Sequence, residues 1–515
     1  MFFLYLRSTV RCLVLFVLGA AIFIPVLLSS PVVASAPSVQ PLISDWQFLS
    51  SDAIPPSQTA CNAVGRRCFN PNAMHNAYNY ASLLALGNKG QGKTIAIIDS
   101  FGSATIRNDL GVFSTAFGLP HLCGDSGPST PAGNCTPGAT PRFDIMEFQG
   151  SPPPNPPPPN QGTGQENHNL WALEVSLDVE WVHATAPLAN IMLVTTPTAE
   201  TLGVQGFQQM MNAEQYVVDN HLADVISQSF AAGEGSFQNG FAAINQLRQA
   251  FVNAQANKVT VFASSGDGGT TNTYKEPVKN PGVIPYPSVL WPASDPLVTA
   301  VGGTYLCVNA QTGVGVDPVS PPVNCQPAVN TGSQREVGWI GSGGGYSILF
   351  PRPAFQNVLP PGSTYVGSSV GAPGPNANMR GVPDIAYQAS SRTGVLVYDT
   401  EPATTSSGTG CGGANPCSIG WYVVGGTSSG SPQWAGLIAI ADQMAKRDLG
   451  YINPALYSLA SNPATYTSDF FDVTEGSNQT SSIPGYSVSP GWDAVTGLGS
   501  PNVAKLIPDL IVATS

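Results

Sequence analysis

Five short runs of apolar, largely β-branched residues recur through the first two thirds of the chain, and they constrain its fold more than any other feature. They read KTIAIID, ANIMLVTT, ADVISQSF, KVTVFASS and PLVTAVGG. Runs of this length and composition, bounded by glycine and polar residues, indicate buried strands. Helix-length segments lie between them, including residues 202–219 and 241–255. Strands that alternate with helices predict an α/β fold with a mainly parallel central sheet and helices on both faces.

The charge balance excludes some classes of partner. Only 10% of the 515 residues are charged, and the formal net charge is −12. An acidic chain without a basic cluster does not fit binding to nucleic acid or to an anionic membrane surface. The hydrophobic content of 42% is typical of a globular protein.

Residues 1–36 have the pattern of a signal peptide. Arg7 and Arg11 precede an apolar run, and the small residues of VVASA predict cleavage just after it. An uncleaved membrane anchor is the alternative, because the run is long. We expect a secreted protein, extracellular or periplasmic, with no membrane contact once the signal is removed.

The rest of the chain divides into two parts in this interpretation. Residues 37–89 form an N-terminal extension, and residues 90–515 form the main domain with a loop-rich C-terminal region. The proline-rich residues 151–160 interrupt the strand and helix pattern, which resumes after them. We therefore expect an exposed loop insertion there rather than a domain boundary.

Cysteine usage favours an oxidising compartment. Cys12 leaves with the signal, and the other eight cysteines fall into close pairs along the chain. Short-range pairing is the simplest of the 105 possible connectivities. Zinc coordination is the alternative, but no histidine accompanies these cysteines at zinc spacing. The predicted disulfides are Cys61–Cys68, Cys123–Cys135, Cys307–Cys325 and Cys411–Cys417.

The segment VVGGTSSGSPQWAG predicts a strand that ends in a glycine turn and leads into a helix. Ser428 lies in that turn, where its hydroxyl would face the unsatisfied N–H groups of the helix. Negative charge that develops during acyl transfer is stabilised there, which suits a serine nucleophile. The alternative is that Thr427 or Ser428 merely caps the helix.

A predicted helix, NLWALEVSLDVEWVH, carries two carboxyls on one face. Asn169 is a candidate cap, and Glu174 and Asp178 are four residues apart. The neighbouring residues are bulky and apolar, so we expect both carboxyls to be partly buried and to raise each other's pKa. The alternative is an ordinary solvated acidic face.

Two further acidic positions follow predicted strands or loops. Asp267 comes directly after a buried strand in a glycine-rich turn, where side chains reach a cleft, although an Asx-turn is the alternative. Asp472 and Asp493 are separated by a loop rich in glycine, serine and proline, which offers the hard oxygen ligands that Ca²⁺ requires.

Between about residue 90 and residue 505, the motifs of the chain resemble those of the sedolisin family, the serine-carboxyl peptidases with a subtilisin-like fold. They occur in family order: GQGKTIAIIDSFGS, EVSLDVEW with APLANI, ISQSF, FASSGDGG, TAVGGTYL, SGGGYSILFPRP, RGVPDIAY, GGTSSGSPQWAG, INPALY and GWDAVTGLGSPN. The ordered set is far more specific than any one of its strings.

The resemblance implies a role for each candidate residue. It implies that Ser428 is the nucleophile, that Glu174 is the general base and that Asp178 orients this base. It further implies that Asp267 is a protonated oxyanion donor and that Ser229 lines the substrate cleft. The nucleophile lies in the family's GTSxxxP pattern, which Pro432 completes.

The resemblance also implies one structural Ca²⁺. Its ligands would be the side chains of Asp472 and Asp493 and main-chain oxygens at Val473, Ser489 and Gly491. Ser489 departs from the family's usual glycine, which matters little because the contact is a carbonyl.

From this resemblance we expect a monomeric peptidase that acts on polypeptides in acid, as an endopeptidase or a tripeptidyl-peptidase. A carboxylate base indicates work below neutral pH, since a base is most effective with a pKa near the operating pH. Family members usually carry a long prodomain, and residues 37–89 are too short for one.

Two other classes of function remain as alternatives. A histidine-dependent subtilisin-like peptidase would use Asp99, but no histidine has the required sequence context; the five are His75, His121, His168, His183 and His221. A non-enzymatic binding protein on the same fold would fit the missing prodomain, but every catalytic position holds the expected residue type.

Overall fold

The central sheet of the protein, seen in a computed structural model, contains eight strands. In spatial order they are β14 (Glu336–Gly338), β13 (Thr299–Leu306), β9 (Thr260–Ser264), β7 (Val225–Gln228), β4 (Thr94–Ser100), β6 (Asn190–Thr196) and β5 (Phe143–Glu147), with β17 (Ile385–Gln388) also paired to β13. Every pair is parallel except β13 with β14. The predicted α/β fold with a mainly parallel sheet is confirmed.

The structure describes residues 40–41, 45–125, 141–151, 168–197, 204–237, 240–274, 282–315, 335–365, 378–401, 418–480 and 483–515. All of them belong to one compact unit, Ser35–Ser515. The predicted signal peptide and residues 152–160 of the proline-rich loop lie outside these ranges. No helix in the described ranges is both long and apolar enough to cross a bilayer.

Twelve helices have described bounds. They are α1 (Gln58–Ala63), α2 (Pro71–Ala77), α3 (Ala81–Ala85), α4 (Ile106–Phe117), α5 (His168–Thr185), α6 (Val204–Asp219), α7 (Phe241–Leu247), α8 (Gln249–Asn257), α9 (Gly430–Ala445), α10 (Asn453–Ser461), α11 (Pro463–Asp469) and α12 (Val503–Ala513).

The alternation of side chains along β4 shows why helices cover both faces of the sheet. Ile95 and Ile97 lie in one hydrophobic core with residues of α5 and α9. Ala96 and Ile98 lie in a second core with residues of α6 and α8. Because successive side chains of a strand point to opposite faces, a strand that is apolar throughout needs cover on both sides. The functional side chains therefore emerge where the strands end.

Smaller sheets surround this layer. Four strands form a second sheet in the order β2 (Trp46–Ser50), β19 (Gly420–Val424), β18 (Thr393–Asp399) and β3 (Arg67–Phe69). A three-stranded sheet contains β1 (Gln40–Pro41), β8 (Phe230–Gly233) and β12 (Leu290–Trp291). The two-stranded sheets pair β10 (Thr273–Tyr274) with β11 (Gly282–Val283), β15 (Gly345–Pro351) with β16 (Met379–Val382), and β20 (Phe470–Phe471) with β21 (Ser500–Pro501).

The N-terminal extension is built into this unit. Within residues 37–89, strands β2 and β3 complete the second sheet, and helices α1, α2 and α3 lie between residues 58 and 85. The division at residue 89 stays a prediction about the organisation of the chain, because the described residues on both sides of it belong to the same compact unit.

One predicted disulfide is formed between described residues, Cys61–Cys68. Cys123 and Cys307 are disulfide-bonded as well. Their predicted partners, Cys135 and Cys325, lie outside the described residues, and so does the predicted pair of Cys411 and Cys417.

Candidate active site

The serine predicted as a nucleophile lies in a tight turn between a strand and a helix. Strand β19 ends at Val424, and Ser428 follows in a 3₁₀ turn, Thr427–Ser429, that leads into α9. The Ser428 side chain is buried. Neither this turn nor α9 has a side-chain cap hydrogen bond at its start, so the capping alternative is not what the structure shows.

Two glycines allow the turn to fit. Gly426 has a φ of 121°, a value that residues with a side chain rarely adopt. A Cβ on Gly425 would lie 2.1 Å from the main-chain nitrogen of Ser391 and 2.5 Å from the carbonyl oxygen of Ala389. The backbone before Ser428 is therefore pressed against a neighbouring loop that cannot easily yield.

Helix α5 supplies two fully buried carboxyls one turn apart, Glu174 and Asp178. The Ser428 hydroxyl lies against the Glu174 carboxyl and favours its charged form, although neither Glu174 oxygen has a hydrogen bond of ordinary geometry. Burial nevertheless raises the pKa of Glu174 well above its ordinary value, and the carboxyls of Asp178 and Asp99 add to the rise. The solvated acidic face considered as an alternative is excluded, because both side chains are buried.

The bounds of α5 differ slightly from the prediction. The helix begins at His168, so Asn169 lies in its first turn rather than at the cap, and it ends at Thr185 rather than near His183. The spacing of Glu174 and Asp178 on one face is unaffected by this difference.

Ser229 holds the second carboxyl in place. Its hydroxyl donates a hydrogen bond of 3.1 Å to Oδ1 of Asp178. Burial raises the pKa of Asp178 well above its ordinary value, and this hydrogen bond offsets part of the rise. Ser229 is itself buried between β7 and β8. Its side chain thus positions Asp178, while its role in lining a substrate cleft stays a prediction.

Asp99 is the site residue that the sequence analysis did not assign to this chemistry. It lies near the carboxyl end of β4 and is completely buried. Burial raises the pKa of Asp99 well above its ordinary value, and the neighbouring Asp178 raises it further. The available signal was its position at the end of a central strand, which we considered only for a histidine-dependent enzyme. In the structure, Asp99 joins Glu174 and Asp178 in one carboxyl cluster.

Asp267 reaches the nucleophile turn from the loop after β9. Its Oδ1 accepts hydrogen bonds from the main-chain nitrogen of Thr427 at 2.8 Å and from Thr427 Oγ1 at 2.9 Å. The same hydroxyl accepts a bond from the nitrogen of Gly266 at 3.0 Å. The Asp267 carboxyl therefore bonds to the residue before Ser428, 160 positions away in sequence, so its role is not confined to a local Asx-turn. Because two donors hold Oδ1 as an acceptor, a proton on this carboxyl would reside on Oδ2.

Several histidines have defined partners elsewhere in the fold. His75 bonds to the carbonyl oxygen of Ala184, and His121 pairs with Asp125 at 2.9 Å. The ring of His168 stacks on Phe101 at 4.3 Å. The pKa of Glu174 is shifted most by burial, by three carboxyls and by the Ser428 hydroxyl rather than by these histidines.

The two predicted calcium carboxylates meet at a turn in the C-terminal region. The main-chain nitrogen of Gly491 donates to both oxygens of Asp472, at 3.2 and 3.1 Å, and Asp493 follows two residues later. Gly491 has a φ of 77°, and a Cβ there would lie 2.6 Å from Ser363 Oγ. The turn therefore requires glycine.

The residues at this turn fit a hard cation. Asp493 is buried, and burial raises its pKa to about 7 despite hydrogen bonds from the backbone of Thr496, Val495 and Ser489. Burial also raises the pKa of Asp472. Carboxylate and main-chain carbonyl oxygens are the donor set that Ca²⁺ prefers. No group of three or more acidic, histidine or cysteine side chains arranged to hold a metal ion occurs among the described residues, so an ion here would depend on carbonyls as well.

Comparison with known proteins identifies the family of the chain. It is 32% identical to kumamolisin of Bacillus sp. (strain MN-32) over 369 residues, which cover 69% of this chain and 53% of that protein. It is 30% identical to sedolisin of Pseudomonas sp. (strain 101) over 304 residues, covering 59% and 43% respectively. The chain belongs to the sedolisin family. No protein-family model matches it.

Other relatives of the sedolisin family extend the comparison. Human tripeptidyl-peptidase 1 is 25% identical over 370 residues, which cover 68% of this chain and 53% of that protein. A solved structure of Pseudomonas sedolisin, a serine-carboxyl proteinase complexed with pseudo-iodotyrostatin, aligns with a TM-score of 0.59 and 24% identity over 86% of this chain and 98% of that one. The subtilisin-like fold is thereby confirmed. The chain spans about half the length of the curated relatives it matches.

Proposed function

We propose that this member of the sedolisin family is a serine-carboxyl peptidase that hydrolyses polypeptides in acid. The observation that carries the proposal is the contact between the Ser428 hydroxyl and the buried Glu174 carboxyl, which Asp178 and Asp99 adjoin. Nucleophilic catalysis requires a nucleophile and a base within reach of each other, and a third group that orients the base.

In the proposed first step, Glu174 removes the proton of Ser428 as the hydroxyl oxygen attacks the scissile carbonyl carbon. The serine is a weak nucleophile without such a base. Burial is what makes a carboxylate basic enough for this task, since it raises the pKa of Glu174. The Ser229 hydroxyl fixes the Asp178 carboxyl beside Glu174. The carboxyl cluster can then share a proton.

The tetrahedral intermediate places a negative charge on the former carbonyl oxygen. We assign Asp267, in its neutral form, as the donor to this oxygen. It is bonded to Thr427, the residue before the nucleophile, which supports its placement at the reacting carbonyl. The loss of one such donor typically costs about 10²–10³ in rate. Glu174 then gives its proton to the leaving amine, and a water molecule hydrolyses the acyl-enzyme.

The pH dependence follows from the two carboxyl roles. Glu174 must be ionised to act as a base, and its raised pKa moves the acidic limb of the rate profile upward from that of an ordinary glutamate. Asp267 must be protonated to donate a hydrogen bond, so rate falls as pH rises and this carboxyl ionises. The expected profile is therefore bell-shaped on the acid side of neutrality.

We further propose that the enzyme is secreted, acts as a monomer and carries one Ca²⁺ at Asp472 and Asp493, with carbonyls of Val473, Ser489 and Gly491. An ion there would neutralise the two carboxyls and fix the C-terminal loop. The disulfide Cys61–Cys68 is compatible with an oxidising compartment.

The test is cleavage of a peptide library by the purified protein from pH 3 to pH 8. The library products also distinguish endopeptidase from tripeptidyl-peptidase action. We expect cleavage in acid, its loss in Ser428→Ala and its loss in Glu174→Gln. The matched control is Glu180→Gln, since Glu180 is equally buried on the same helix but lies away from Ser428.

Three outcomes would contradict the proposal. Full activity of Ser428→Ala would exclude the serine as nucleophile. Loss of activity in His168→Ala, with Glu174→Gln still active, would favour a histidine-dependent enzyme instead. A rate that is constant from pH 4 to pH 8 would exclude the paired roles of Glu174 and Asp267.

A further inference from the structure

Residues 45–69, which we call the N-terminal clamp, supply both outer strands of the second sheet. Strand β2 pairs antiparallel with β19, and β3 pairs in parallel with β18. Strands β18 and β19 pair with each other between them. Because β19 leads directly into the nucleophile turn, the clamp encloses the pair of strands that presents Ser428.

The contact of β2 with β19 continues into the turn itself. Trp46 pairs with Val424, and the main-chain nitrogen of Gly425 donates to the carbonyl oxygen of Asp45 at 2.9 Å. The rings of Trp46 and Phe48 pack edge-on against Tyr422 of β19, with centroids 5.7 and 5.4 Å away. Asp45 therefore makes a backbone contact only three residues before Ser428.

Arg66 holds Asp45 in that position. Its guanidinium makes two bonds to the Asp45 carboxyl, Nη1 to Oδ2 at 2.9 Å and Nη2 to Oδ1 at 3.2 Å. Two parallel bonds of this kind fix direction as well as distance. Arg66 lies in the loop between α1 and β3 that the Cys61–Cys68 disulfide closes.

The same guanidinium reaches the other side of the nucleophile turn. Nη1 of Arg66 donates to Ser391 Oγ. The main chain at Ser391 is the group that approaches the α-carbon of Gly425 so closely that no Cβ would fit. Gly425 is thus enclosed by Asp45 on one side and by residues 389–391 on the other, and Arg66 links the two.

We propose that the N-terminal clamp is a permanent part of the active enzyme and that Asp45 and Arg66 are positioning residues for Ser428. The inference rests on the proposed peptidase function. Loss of the clamp would leave β19 as an edge strand, paired only with β18, immediately before the nucleophile and would remove the acceptor of the Gly425 N–H. The clamp is therefore distinct from a leader segment that is removed to expose the site.

Substitution of Arg66 tests the positioning role in the full-length chain. We expect Arg66→Met to lower kcat about 10-fold, since misplacement of a reacting group by about 1 Å can cost as much as 10²-fold. KM should stay within about twofold, because a change confined to the reacting geometry appears in kcat. Arg66→Lys should restore part of the rate, as lysine keeps the charge but loses the paired bonds.

A double variant and a control separate positioning from stability. Asp45→Asn with Arg66→Met should be no slower than Arg66→Met alone, because the two residues act through one contact. Arg142→Met is the matched control: Arg142 makes the same paired bonds to Asp144, at 3.1 and 3.0 Å, on an exposed surface. We expect it to leave kcat unchanged.

The mass of the active protein tests permanence. We expect its N-terminus at or before Asp45. A fully active species that begins after Arg67 would overturn the inference, and so would full kcat in Arg66→Met. Both results count only if Ser428→Ala is inactive. Activity in Ser428→Ala would instead overturn the proposed function.

Discussion

Gly425→Ala is the sharpest test of how closely the nucleophile turn is packed. The added Cβ would lie 2.1 Å from the nitrogen of Ser391, 2.5 Å from the oxygen of Ala389 and 2.7 Å from the carbonyl carbon of Ser390. All three are main-chain atoms, so a rotamer change cannot relieve the contact. Ordinary contacts begin near 3.4 Å, so the turn must move by about 1 Å within a close-packed interior.

The expected loss of rate follows from that displacement. A shift of about 1 Å at a reacting group can cost about 10²-fold, so we expect kcat of Gly425→Ala to fall to that extent. Overpacking should also destabilise the fold, typically by about 1–3 kcal/mol. The assay is peptide hydrolysis at the acidic optimum, with kcat and KM determined separately and the folded fraction measured by thermal unfolding.

Gly118→Ala is the matched control for this test. Gly118 ends α4 with a φ of 66°, and nothing lies within 4 Å of a Cβ there. The left-handed backbone makes alanine unfavourable by roughly 1–2 kcal/mol, but the change is remote from the turn. We expect lower thermal stability with normal kcat per folded molecule. If Gly425→Ala keeps kcat within twofold of the parent, the reasoning about turn position is wrong.

Three further predictions concern the buried carboxyls. Asp99→Asn removes one like charge from the cluster, so the pKa of Glu174 should fall and the acidic limb of kcat/KM should move to lower pH; an unmoved limb would show that Asp99 is not coupled to the base. Burial raises the pKa of Glu180 well above its unfolded value, so its contribution to stability is present below that unfolded value and is lost as pH rises through the folded one. Glu180→Gln should therefore flatten the decline of the melting temperature above pH 5, and a decline as steep as the parent's would contradict this. Chelation with EDTA near neutral pH should lower the melting temperature of the parent protein but not that of Asp493→Asn, whereas equal sensitivity in both would place any calcium elsewhere.

Local patterns in the sequence were sufficient to find the main catalytic candidates. Glu174 and Asp178 could be placed together because a four-residue spacing puts two side chains on one face of any helix. Ser428 could be placed in a turn because glycines separate a strand pattern from a helix pattern. Both inferences depend on neighbours within a few residues, and both agree with the structure.

The residues that sequence reasoning missed are brought in by long-range pairing. Asp99 reaches the carboxyl cluster because β4 lies at the centre of the sheet beside β6 and β7, and α5 packs over it. Arg66 and Asp45 reach the nucleophile turn because β2 pairs with a strand more than 370 positions later. The amino-acid pattern around residues 45–69 carries no mark of that partner, so we could describe it only as an extension.

Helix α5 connects catalysis to stability through a single physical cause. Glu174 lies toward Ser428, while Glu180, on another face of the same helix, accepts a hydrogen bond from the main-chain nitrogen of Tyr398. Burial raises the pKa of both carboxyls, and nearby Asp109 and Asp399 add to the rise at Glu180. A rise in pH therefore changes the chemistry on one face and places repelling charges on the other. The two effects are separable, because ionisation of Glu174 activates the base in folded molecules, whereas ionisation of Glu180 lowers the folded fraction. A loss of activity that follows the folded fraction at every pH would mean that the Glu180 side of α5, and not the oxyanion donor, sets the upper pH limit.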